Sequence, residues 1–128
     1  MIDKATIANP KTKYGNARHA TREFKTQRIT AMLNIVFTIF FVWFVVRLAG
    51  ADRAEMVMVL HDHPFVGVGL MLLIVNVCIH MRIGMHEVIQ DYIYKPEQVR
   101  LLSAANTVFA IAVAALTILA VVKIMFWG

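Results

Sequence analysis

Three long uncharged runs, 29–46, 64–79 and 101–122, constrain this chain more than anything else in it. A helix rises about 1.5 Å per residue, so some 20 apolar residues span the roughly 30 Å hydrocarbon core of a bilayer. Apolar residues make up 59% of the 128 and charged residues 16%. A soluble domain of this size has too much surface to keep wet for that balance, whereas lipid accepts the apolar side chains directly. The expected architecture is an all-α integral membrane protein with three transmembrane helices, at about 29–49, 64–92 and 100–124. A basic segment, 1–28, precedes a membrane domain, 29–128.

The first run is dense in Phe, Val and Ile, with Asn34 as its only amide and Arg47 placed to snorkel at its far end. A polar connection follows over 50–64, and its apolar middle, 54–60, suits a short interfacial helix. Pro64 fits the first turn of the second helix, where its missing N–H is not needed. Gly67 and Gly69 allow a neighbouring helix to approach closely. The hydrophobic signal fades after His80, but nothing breaks the helix before Pro96, so it extends to about Tyr92. The third run carries Ser103 and Asn106 near its start, small alanines in its middle, and Lys123 and Trp127 at the far interface.

Charge sets an expected orientation. Seven of the thirteen Lys and Arg precede Ile29: Lys4, Lys11, Lys13, Arg18, Arg22, Lys25 and Arg28. With Arg82, Lys95 and Arg100 they place ten basic residues on one side, against Arg47, Arg53 and Lys123 on the other. The positive-inside rule then puts the N-terminus inside and the C-terminus outside. Beside a membrane span, a basic tail is better explained by this rule than by nucleic acid, so no nucleic-acid partner is expected. Residues 1–28 hold no apolar stretch of the signal-peptide kind.

The stretch from His80 to Tyr92 carries the chemistry. At ~100° per residue, Gly84, Glu87 and Asp91 lie within ~40° of His80, forming one stripe, and Tyr92 flanks it at ~120°. A polar stripe on a membrane helix faces protein, cofactor or water rather than lipid. His80 closes an apolar run. A neutral imidazole there serves either as a metal ligand, for instance to haem iron, or as a hydrogen-bonding partner of a neighbouring helix. Gly84, one turn on, leaves room for a flat macrocycle against the backbone. Asp91 and Tyr92 sit ~18 Å further along the axis, near the membrane surface. A Tyr hydroxyl there can donate to a quinone carbonyl with the Asp beside it; an interfacial Tyr anchoring a helix end reads equally well. Arg28, at the start of the first span, either neutralises a cofactor's carboxylate or is ordinary positive-inside charge. Glu87 can relay protons, or pair with Arg82 or His86. His61 and His63 alone make a weak metal site. The single cysteine, Cys78, can form no intrachain disulfide.

On these residues the chain resembles the smaller hydrophobic membrane anchor family of succinate dehydrogenase (complex II), of alphaproteobacterial and mitochondrial type. The signature is His, three residues, Gly, six residues, Asp-Tyr on the second of three helices, met here by His80, Gly84, Asp91 and Tyr92. Gln27-Arg28-Ile29-Thr30-Ala31 resembles the family's Q-R-x-T-A run ahead of the first helix. The resemblance implies that His80 is one axial ligand of a b-type haem iron, the other coming from the larger cytochrome b anchor of the same enzyme. It implies Tyr92 and Asp91 as ubiquinone-binding residues and Arg28 as a neighbour of the haem propionates. It further implies a bacterial cytoplasmic membrane, or a mitochondrial inner membrane, and docking of an iron–sulfur subunit and an FAD flavoprotein on the basic side. Gln90 and Tyr94 depart from common family residues, which leaves the proton route open.

The chain has no Gly-rich nucleotide loop and no Cys cluster, so the succinate site lies elsewhere in such an enzyme. Three other readings compete: a fumarate reductase anchor, a cofactor-free three-helix scaffold, and a cytochrome that binds haem without partners. Three helices alone also leave little interior in which to hide Asn34 and His80, which points to a partner membrane protein.

Overall fold

The computed structural model describes residues 17–128, all of the chain's regular structure within them being helical. Lys4, Lys11 and Lys13, part of the basic segment, lie outside the described residues. Helix α1 spans Ala17–Leu48, α2 Arg53–Asp62, α3 Pro64–Tyr92 and α4 Pro96–Trp127. Three of these, α1, α3 and α4, are long and apolar enough to cross a membrane.

The second span matches its expected bounds, and the other two run longer. Helix α1 starts about three turns ahead of its apolar run. Residues 17–28 contain no Gly or Pro to stop a helix, and they hold themselves by local contacts. His19 Nδ1 stands 3.6 Å from Glu23 Oε2, Thr26 Oγ1 donates to the Arg22 carbonyl at 2.8 Å, and the Arg28 guanidinium lies 4.7 Å from the Phe24 ring centre. The helix therefore shows no break at residue 28. Helix α4 begins at Pro96 because proline fits the first helical turn. At 32 residues each, α1 and α4 are about 48 Å long and project beyond a bilayer core.

The polar connection folds into α2. Asp52 caps it: the Glu55 N–H donates to Asp52 Oδ1 at 2.9 Å, and the Asp52 N–H donates to Glu55 Oε2 at 3.3 Å. Gly50, at φ 82°, makes the turn out of α1 in the left-handed region. Leu60 is buried where α2 lies on α3 and α4. His61 pairs with Asp62 at 3.4 Å, and His63 packs on Phe65 with ring centres 5.7 Å apart.

Helix α3 is the centre of the bundle, with α1 on one side and α4 on the other. Glycines set both approaches. A Cβ on Gly69 would come within 2.9 Å of the Phe40 ring on α1, and one on Gly67 would overlap the Met125 side chain on α4. The core is small, with Val66, Cys78, Ile83, Ile89, Ala110 and Val121 buried in it. Many large apolar side chains, Ile35, Val36, Ile39 and Val46 among them, remain exposed on α1. That surface suits lipid or another membrane chain, not water.

Candidate functional site

Antiparallel pairing of α1 with α3 brings Thr30 opposite His80, Asn34 opposite Asn76, and Gln27 opposite Gly84. Asn76, 6% exposed, donates from Nδ2 to the Thr30 carbonyl at 3.0 Å and to Asn34 Oδ1 at 2.6 Å. Thr30, 5% exposed, places its Oγ1 2.8 Å from the Thr26 carbonyl, 3.0 Å from the Gln27 carbonyl and 3.0 Å from His80 Nδ1. A buried polar group without a partner is costly in lipid, and this network links four residues.

His80 is half-buried. The two readings of it left open by spacing are compatible. Nδ1 is engaged by the neighbouring helix, while Nε2 has no hydrogen-bond partner among the described residues. An imidazole tethered through one nitrogen and free at the other is the usual arrangement of a metal-ligating histidine. Among the described residues no three His, Cys, Asp or Glu side chains gather to hold a metal ion. His80 thus stands as a single donor of the kind that takes one axial position on a haem iron. The chemistry of His80 fits one such position.

Gly84 behaves differently from expectation. Its bare face is covered by the Gln27 side chain, whose Nε2 would lie 3.1 Å from an added Cβ. A flat group therefore does not meet the backbone there unless Gln27 moves. Gln27 Oε1 is buried and has no hydrogen-bond donor. This orphaned acceptor lies on the same seam, one turn from Thr30.

Asp91 and Tyr92 are side by side at the C-terminal end of α3, both exposed, Tyr92 at 75%. No basic residue occupies that last turn to complement Asp91 or the helix's negative end. The pair is presented outward, available to a second chain or a ligand, and the described residues do not enclose it. Arg28 is also exposed and stacks on Phe24. Two residues from Thr30, it is turned ~200° away from the side of α1 that meets His80. The fold thus gathers Thr30, Asn34, Asn76 and His80, and leaves Arg28, Asp91 and Tyr92 on the outside.

Other polar residues of α3 turn toward α4. Arg82 Nη1 donates to Thr107 Oγ1 at 3.5 Å, Asn106 Nδ2 donates to the Arg82 carbonyl at 2.8 Å, and His86 Nδ1 lies 3.1 Å from Ser103 Oγ. Gln90 Nε2 lies 3.0 Å from His86 Nε2. Of the two options open to Glu87, pairing with Arg82 or His86 is not made: those two face α4, and Glu87 is exposed on the His80 side without an ion pair among the described residues.

Sequence reasoning does not reach Asn76 and reads Thr30 only as a marker of a helix start. The one available signal is the presence of an amide inside an uncharged run, which demands a partner in lipid.

A family model described as the succinate dehydrogenase/fumarate reductase transmembrane subunit matches residues 3–121. No curated protein and no solved structure matches the chain.

Proposed function

The chain belongs to the succinate dehydrogenase/fumarate reductase transmembrane subunit family, and from that premise we propose that it is the smaller membrane anchor of a succinate:ubiquinone oxidoreductase. It is a multi-pass membrane subunit of an oxidoreductase complex. In this reading it contributes no residue to succinate oxidation. It holds the complex at the membrane, supplies one ligand to a b-type haem and forms one wall of a quinone pocket.

The observation that carries the reading is His80: tethered at Nδ1, free at Nε2, and set on the seam between two membrane helices. His80 Nε2 would hold a haem iron there, which would supply one-electron transfer within the bilayer. A further ligand would come from the larger cytochrome b anchor: among the described residues no three metal-ligating side chains gather, and much of α1 is left uncovered. Arg28 would neutralise a haem propionate. The family-like spacing supports it, together with a guanidinium exposed near the same end of α1.

Tyr92 donates from its hydroxyl to a quinone carbonyl, with Asp91 next to it to receive or relay a proton at the membrane surface. Their exposure supports a pocket completed by other chains of the complex. The N-terminus lies inside, so this pair and the basic end of α1 face the side on which the FAD flavoprotein and iron–sulfur subunits dock. A fumarate reductase anchor would use the same scaffold with a quinone of lower potential.

The test is co-purification with activity. Tagged chain should bring a flavoprotein and an iron–sulfur protein out of detergent-solubilised membranes, and the complex should reduce ubiquinone with succinate. Tyr92→Phe should cut quinone reduction about 10-fold or more while succinate oxidation by a soluble dye acceptor persists. Unchanged quinone reduction in Tyr92→Phe would remove Tyr92 from the site.

A further inference from the structure

Thr30 meets three groups with one hydroxyl, and the arithmetic of that hydroxyl decides what His80 can do. Its Oγ1 lies 2.8 Å from the Thr26 carbonyl, 3.0 Å from the Gln27 carbonyl and 3.0 Å from His80 Nδ1. A hydroxyl has one proton to donate and two lone pairs with which to accept. A backbone carbonyl can only accept, so Thr26 or Gln27 can take the proton, as Nδ1 would in the opposite tautomer. When the proton runs to the Thr26 carbonyl, at 2.8 Å the shortest of the three contacts, Oγ1 is left with lone pairs toward His80 and Nδ1 is the donor. A neutral imidazole that carries its proton on Nδ1 has its lone pair on Nε2, the atom that ligation of iron requires.

Resting on the haem-ligand reading above, we propose that Thr30 is the positioning residue for His80: it fixes the Nδ1–H tautomer and the ring plane, and so presents Nε2 for axial ligation. The support behind it is specific. Thr30 is 5% exposed, so water does not compete for the hydroxyl, and its own carbonyl is clamped by Asn76 Nδ2 at 3.0 Å. Asn76 is clamped in turn to Asn34 at 2.6 Å. The imidazole is thereby oriented by a chain of contacts that runs across both helices rather than by a surface side chain.

An oxygen accepting from Nδ1–H raises the electron-donating power of the ring. Removing it should favour the reduced haem and weaken the ligand's hold. The experiment uses the intact detergent-purified complex, with Thr30→Val, Thr30→Ala and Thr30→Ser beside the wild type and His80→Ala. Haem midpoint potential is followed by redox titration of the visible spectrum, and haem transfer to apomyoglobin by absorbance. Dye-linked succinate oxidation confirms assembly. Both hydroxyl deletions should raise the midpoint potential and speed haem transfer about 10-fold, and Thr30→Ser should return both to the wild-type values. Making Val and Ala together separates loss of the hydroxyl from a change in packing.

Wild-type potential and transfer rate in both deletions would overturn the proposal. So would a Thr30→Ser variant displaced as far as Thr30→Val, because the oxygen would not then be the cause. His80→Ala with an unchanged haem spectrum would instead overturn the ligand reading on which this one rests.

Discussion

Along α3, the side that meets α1 and the side that meets α4 both carry hydrogen bonds, yet they bury different things. Toward α1, Asn76, Asn34, Thr30 and His80 form one connected network, with Thr30 and Asn76 buried. Toward α4, Arg82, His86 and Asn106 make separate, part-buried contacts near one end. Apolar burial is distributed the other way. Only 6% of the apolar stretch of α1 is buried, against 11% of that of α4 and 22% of that of the central α3. Helix α1 is thus oriented more by directional polar contacts than by covered area. Helix–helix hydrogen bonds in membranes are worth little each but constrain rotation and register, because lipid offers no alternative partner. A seam of that kind suits a site whose geometry matters; a seam of small residues and apolar contacts suits a support.

That contrast can be broken by crowding each seam in turn. Gly69→Leu forces a branched side chain against the rigid Phe40 ring and should cost about 3 kcal/mol of association with the complex. Gly67→Leu meets instead the flexible end of Met125 and should cost about 1 kcal/mol. Thermal dissociation of this chain from the purified complex reads both. Equal losses would mean that the two approaches are equally tight.

Asn76→Leu sharpens the comparison chemically. It strips Asn34 Oδ1 of its donor inside the membrane and should cost about 2 kcal/mol in the same assay. Thr107→Val at the other seam removes only a 3.5 Å contact to Arg82, whose head can turn to water or headgroups, and should cost about 0.5 kcal/mol. A larger loss from Thr107→Val than from Asn76→Leu would reverse the roles assigned to the two seams.

The three membrane helices are legible in sequence because bilayer thickness acts on local composition, and an uncharged run states its own length. The ends of α1 and α4 are not, since beyond the apolar run the signal is ordinary helix propensity, which Ala17–Arg28 satisfies without a hydrophobic marker. Periodicity places His80 on a stripe, but cannot say what faces it. Asn76 and His80 meet Asn34 and Thr30 across 42 and 50 residues, and no local pattern encodes such contacts. Gly84 shows the same limit: a missing side chain is visible, and its occupant, Gln27 from another helix, is not.

The most direct test of His80 as a haem ligand is the dithionite-reduced minus oxidised spectrum of the detergent-purified complex, wild type beside His80→Ala. A b-type band is expected in the wild type, lost or displaced in the variant while the dehydrogenase subunits stay bound. An identical band in both would contradict that role, leaving His80 as no more than a polar link between α1 and α3.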